Sequence, residues 1–229
     1  MSYMKKNKLI YAILVALLII IIFVLFGYGI RYRYTFNTET KYTNNTKDIY
    51  AQDGNIYKVH NYEDATDAAN ALAIINDTIL KLNTHLKHKY VGVGYNLKGY
   101  GNTSPEMYTA VTKILQRYNP DNLVENSPKD KEDTSYTLNK GSTIAFCLRE
   151  KGKNNTLHDI NTLIFVAVHE LAHIAIDDNE HPPKFWKMFK LLLQEAEEGN
   201  IYKSQDYQKN PVNYCGMQVN YNPLYDNTL

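Results

Sequence analysis

The chain of 229 residues carries 25 Lys and Arg against 24 Asp and Glu, a formal charge of +1 that falls to −2 without Lys5, Lys6 and Lys8 of the N-terminal tail. That is not the footprint of a nucleic-acid binder, and no nucleic-acid partner is expected. Hydrophobic residues at 44% suffice to bury a core, which excludes wholesale disorder. Two cysteines exclude both a disulfide-dense scaffold and a four-cysteine zinc module.

In chain order, residues 1–8 form a short basic tail. From Leu9 to Ile30 there are 22 uncharged residues, long enough as a helix to cover about 33 Å at about 1.5 Å per residue. The run exceeds the apolar core of a signal peptide and lacks a small-x-small cleavage site, so it reads as a transmembrane anchor. The expectation is a single-pass membrane protein with the bilayer as a partner and its large domain exterior or lumenal. Residues 31–56 are polar, tyrosine-rich and aperiodic, and read as a stalk.

The domain proper is expected over 57–229. Ala65, Ala68, Ala69, Leu72, Ile75, Ile79, Leu82 and Leu86 recur at three- and four-residue spacing, which predicts a long amphipathic helix from about Tyr62 to Tyr90, with Asn61 or Asp64 as cap. The glycine-rich stretch Val91 to Gly101 lacks the spacing of a phosphate-binding loop and reads as turns. Pro105 begins a second helix that Asn119-Pro120 stops. Asp121 to Asp133 reads as a charged loop. Ser135–Leu138 and Thr143–Leu148 flank Asn139-Lys140-Gly141 as a hairpin, giving an α+β outline.

Next, an apolar run from Leu163 to Val168 leads directly into His169-Glu170-Leu171-Ala172-His173. On a helix, positions i and i+4 share a face, so both imidazoles can address one ion about 2.0–2.1 Å from each nitrogen. Glu170 lies beside that ion without having to ligate it, where a carboxylate can take a proton from an activated water. Burying His169, Glu170 and His173 with nothing to satisfy them would cost several kcal/mol, roughly, and a zinc ion meets the need most simply.

A catalytic zinc takes three protein ligands and keeps one position open, whereas structural zinc closes with four. His181 follows His173 across a polar turn, before Pro182-Pro183 starts a helix bearing Phe185, Trp186, Met188, Phe189, Leu192 and Leu193. It is the natural third ligand, and a carboxylate from Glu195, Glu197 or Glu198 is the alternative. His60, His85, His88 and His158 read as ordinary surface or helix-end residues. Cys147 and Cys215 form a disulfide if the domain meets an oxidising compartment, and are otherwise free thiols. Tyr214 or Tyr221 could donate to an oxyanion, a choice the chain leaves open.

The pattern His169-Glu170-Leu171-Ala172-His173, then His181-Pro182-Pro183-Lys184-Phe185-Trp186, resembles the H-E-L-x-H…H-x-x-x-F-W signature of WLM and SprT-like zinc metallopeptidases. More loosely, Thr134–Arg149 and Pro211–Met217 resemble membrane-anchored proteins of this type from large DNA viruses. The resemblance implies a zincin-like domain with a long H-E-x-x-H helix and a small antiparallel hairpin or sheet. It further implies His169, His173 and His181 as zinc ligands, Glu170 as general base, and a protein or peptide as substrate. The expected activity is that of a membrane-anchored zinc metallopeptidase. The other possibility is a membrane-anchored structural or binding protein, such as one of the virion, with a non-catalytic zinc.

Overall fold

A computed structural model of the chain describes residues 45–92, 105–126, 134–151, 155–176, 178 and 180–229. Apart from Asn45 and Thr46 these belong to one compact unit, Lys47–Leu229. The expected tail (1–8), the expected span (9–30) and most of the expected stalk lie outside the described residues. So do nearly all of the glycine-rich turns and the tip of the charged loop. The expectation of a single-pass membrane protein is corrected: among the described residues no helix is long and apolar enough to cross a membrane.

Four α-helices and a mixed five-stranded sheet make up the described α+β fold, with a separate two-stranded hairpin near the C-terminus. The strands are β1 (Thr46–Tyr50), β2 (Ile56–His60), β3 (Leu123–Glu125), β4 (Tyr136–Leu138) and β5 (Thr143–Phe146), in the order β1-β2-β3-β5-β4. β2, β3 and β5 run parallel, and β4 returns antiparallel beside β5 as the edge strand. The expected hairpin is therefore present, but as the margin of a larger sheet. β1 lies within the stretch read as stalk, and β3 within the stretch read as loop.

Helix α1 (Ala65–Leu86) buries the predicted apolar stripe, including Leu72, Ile75, Leu82 and Leu86, against β2 and β3. It continues as a π-helical turn, Lys87–Val91. Asp64 does stand at its N-cap position but makes no cap bond, because its Oδ2 accepts from Arg149 Nη1 at 2.6 Å. Arg149 is 1% exposed. Its Nε donates to Glu125 Oε1 at 2.7 Å, while Glu125 Oε2 accepts from the His60 backbone N–H at 2.6 Å. One buried cation thus ties the ends of β2 and β3 to the start of α1, and removing it would strand a buried carboxylate.

Helix α2 (Pro105–Arg117) packs on α1 and on α3 (Ile160–Ala175). Asp159 caps α3 by accepting from the Thr162 N–H at 3.0 Å. Nearly every residue from Thr162 to Ala175 is buried, so α3 is the central helix, as its unbroken apolar run predicts. It touches α4 (Pro183–Glu198) on one side and the edge strand β4 on another. A buried polar knot joins α4 to the end of α1: Glu195 accepts from Tyr90 Oη at 2.5 Å, from Lys89 Nζ at 2.9 Å and pairs with His85 Nε2 at 2.8 Å.

The C-terminal hairpin pairs β6 (Val212–Tyr214) with β7 (Met217–Val219) through a turn in which Cys215 and Gly216 both have positive φ, 53° and 79°. Two consecutive positive φ values define the two-residue turn that matches strand twist. Cys215 is disulfide-bonded to Cys147, just beyond β5, so the oxidised alternative holds.

Candidate metal centre

The last two turns of α3 carry His169 and His173, and the segment joining α3 to α4 returns His181 to meet them. Pro182 at the N-cap of α4 is extended, with φ −67° and ψ 168°. Its fixed ring turns the chain sharply into the helix and leaves His181 against α3. An ion pair between Lys184 Nζ and Asp178 Oδ2, 3.2 Å apart, braces the connection. The Asp178 carbonyl also accepts from the His173 ring, fixing its orientation.

The three Nε2 atoms converge. His181 Nε2 lies 3.1 Å from His169 Nε2 and 3.2 Å from His173 Nε2. A tetrahedral ion with nitrogens at about 2.0–2.1 Å holds them about 3.3–3.4 Å apart, so the spacing fits zinc with little adjustment. Phe185, fully buried in the first turn of α4, packs its ring on all three imidazoles, at centroid distances of 4.8, 4.4 and 4.5 Å.

Burial, and then the neighbouring imidazoles, hold His169 down at about 3 and His173 at about 4, and burial also lowers His181. All three are neutral at pH 7, the form that ligates a metal. Three neutral imidazoles aimed at one point offer more lone pairs and N–H groups than they can match among themselves. A cation among them resolves the mismatch, and the donor set is one that zinc accepts.

Glu170 is 3% exposed. Burial pushes its carboxyl up to about 7, against the opposing effect of Thr137, whose hydroxyl donates to Oε2 at 2.7 Å. Thr137 belongs to β4 and was not singled out in the sequence. The predicted hairpin contained it, but nothing in a strand residue's neighbours announces which helix it will face.

Two cavities meet at this centre. One, of about 310 Å³, is mainly apolar and reaches from His169, Glu170 and His181 to Trp186 and the β6–β7 hairpin. The other, of about 250 Å³, is lined by residues with polar side chains, Thr137, Lys140 and His173 among them. A larger cavity of about 610 Å³, beside Thr78, His85 and Gly199, touches none of these groups.

The structure thus brings His181 to the H-E-x-x-H pair, and places the alternative ligand Glu195, with Glu198, around Lys89 and His85 instead. Of the remaining histidines, half-buried His158 accepts from the Cys215 backbone N–H at 3.1 Å, and buried His60 ends β2. Tyr214 and Tyr221 both line the apolar cavity. Tyr221 donates to Asp226 Oδ2 at 2.8 Å, whereas the Tyr214 hydroxyl lies 2.5 Å from Ser135 Oγ.

A buried H-E-x-x-H helix with a third histidine from the segment before the next helix defines a metallopeptidase-like centre of the zinc class. The profile of the WLM domain matches residues 107–225, and the chain belongs to that family. It is 34% identical over 163 residues to uncharacterized protein R325 of Acanthamoeba polyphaga mimivirus, covering 71% of this chain and 76% of that protein. It is also 34% identical over 106 residues to uncharacterized protein 136R of Invertebrate iridescent virus 6, covering 45% of this chain and 57% of that one. These relatives are viral, as the resemblance implied. No solved structure matches the chain.

Proposed function

We propose that the protein is a zinc-dependent peptidase in which His169, His173 and His181 hold the metal and Glu170 is the general base. The observation that carries this reading is the meeting of three Nε2 atoms, 3.1 and 3.2 Å apart, with a buried carboxylate where two cavities open. A bound zinc supplies Lewis acidity, polarising the scissile carbonyl and acidifying water. Glu170 accepts a proton at a carboxylate oxygen and returns it to the leaving amine. Thr137 holds Oε2, leaving Oε1 for that exchange.

Catalysis is preferred over a purely structural zinc because only three histidine nitrogens converge and two cavities border them. The substrate class is a protein or peptide. The test measures zinc by elemental mass spectrometry, and hydrolysis of an unstructured protein, for wild type, His181→Ala and Glu170→Gln. About one zinc per chain in wild type and Glu170→Gln, loss in His181→Ala, and turnover in wild type alone are expected. Turnover by Glu170→Gln at the wild-type rate would refute the assignment of the base.

A further inference from the structure

The cavity of about 310 Å³ differs from its polar neighbour in what faces it. Its lining is mainly apolar, with Phe165 and Val166 of α3, Trp186 and Phe189 of α4, and Tyr214 and Val219 of the C-terminal hairpin, beside the uncharged polar Thr134, Ser135, Gln218 and Asn220, and it reaches His169, Glu170 and His181. Its volume is at the small end of ligand sites, which run from about 300 to 1,000 Å³. That suits one side chain better than a whole cofactor.

Apart from Glu170 and the two histidines, no residue on this wall carries a charge-bearing side chain. An acidic side chain entering it would lose water and meet the Glu170 carboxyl, whereas an apolar one gains by leaving water. Tyr136, Thr137, Lys140 and His173 line only the second cavity, across the same centre. The two sides therefore present unlike surfaces to the two residues flanking a bond held between them.

We infer that the apolar cavity is a specificity subsite that receives one large uncharged apolar side chain, such as Leu, Met or Phe, of a peptide substrate next to the bond cleaved. This rests on the peptidase reading and names the substrate preference of that same site.

The zinc-loaded full chain is given a mixture of unstructured peptides, with Glu170→Gln as blank, and cleavage positions are read by mass spectrometry. Large apolar residues should dominate one position flanking the cut by at least about tenfold over Ala and over Asp. Val219→Phe, which fills the outer wall, should move that preference towards Ala with zinc content unchanged.

A second readout needs no turnover. Trp186 is the only tryptophan of the chain and lines the cavity. Its emission in zinc-loaded Glu170→Gln protein should respond to an octapeptide with central Leu at least about tenfold more strongly in affinity than to its Asp counterpart. The difference should shrink in the Glu170→Gln, Val219→Phe double variant. Cleavage without preference, or with a preference indifferent to Val219→Phe, overturns the subsite and leaves the peptidase standing. Selective binding without cleavage supports the subsite and refutes the peptidase. Absence of both refutes both.

Discussion

Thr137 Oγ1 donates to Glu170 Oε2 at 2.7 Å, joining an edge-strand hydroxyl to the buried carboxylate beside the histidine trio. The bond crosses 33 residues of sequence and depends on α3 lying against β4. Thr137→Val should remove the donor while keeping the shape. We expect hydrolysis to fall about tenfold or more, as befits a bond to a charged group, with zinc content unchanged. Thr137→Ser should restore most of the rate. Equal loss in Ser and Val variants would assign Thr137 to packing alone.

Phe185 touches all three imidazoles and is fully buried, so Phe185→Ala should cost about 3–5 kcal/mol in denaturant unfolding of the metal-free protein. Phe185→Leu keeps most of the volume and should cost about 1.5 kcal/mol or less. Zinc should raise the midpoint of each variant that retains the three nitrogens, because a ligand that binds only the folded state stabilises it.

Acid sensitivity should trace to Glu195. Burial raises its pKa, but hydrogen bonds from Tyr90, Lys89 and His85 outweigh burial and hold it below the ordinary glutamate value. Glu198 shares the Lys89 ammonium. A carboxyl depressed in the folded state stabilises the fold above its unfolded pKa of about 4.3 and loses that contribution as pH falls through the lower folded value. Melting temperatures of wild type and Glu195→Gln should therefore differ most near neutrality, and the gap should close in acid. A gap that persists unchanged in acid would show that ionisation of Glu195 is not what the knot depends on.

The Cys147–Cys215 bond closes a loop of sequence separation 68. Chain-entropy arguments value such a closure at about 4 kcal/mol. Cys147→Ser with Cys215→Ser should lower unfolding stability by an amount of that order, measured against wild type without reductant. A loss below about 1 kcal/mol would mean that native packing offsets the cross-link.

Gly141 has φ 111°, and a β-carbon there would come within 2.8 Å of the Arg117 carbonyl oxygen. Arg117 Nη1 in turn donates to the Ile174 carbonyl at 3.0 Å, so the hairpin turn, α2 and the end of α3 are wedged together. Gly141→Ala should destabilise by about 1–3 kcal/mol through backbone strain and the close contact. Thermal unfolding reads it directly.

The centre was legible because its periodicity is local. His169 and His173 are one helical turn apart, the apolar run before them announces a buried helix, and Pro182-Pro183 marks the next start. What escaped depends on distant partners. β3 has only Leu123, Val124 and Glu125, too few for an alternating pattern, and is a strand because β2 and β5 flank it. Thr46–Tyr50 reads as polar linker and is ordered by its place at the sheet's edge. Asp64 has the right chemistry for a cap, yet a buried guanidinium claims it. Likewise nothing local in Val212–Val219 distinguishes a hairpin from a loop except Gly216, whose positive φ suits the turn.

Every residue assigned here to metal binding and proton transfer lies between Cys147 and Cys215, inside a single covalent ring. The exposed segment at Glu180 and His181 lies within that ring too. A backbone cut at that segment would not release either piece. The clipped protein would run as one species until reductant separated it into two. Cleavage there would nick the protein without separating α3 from α4.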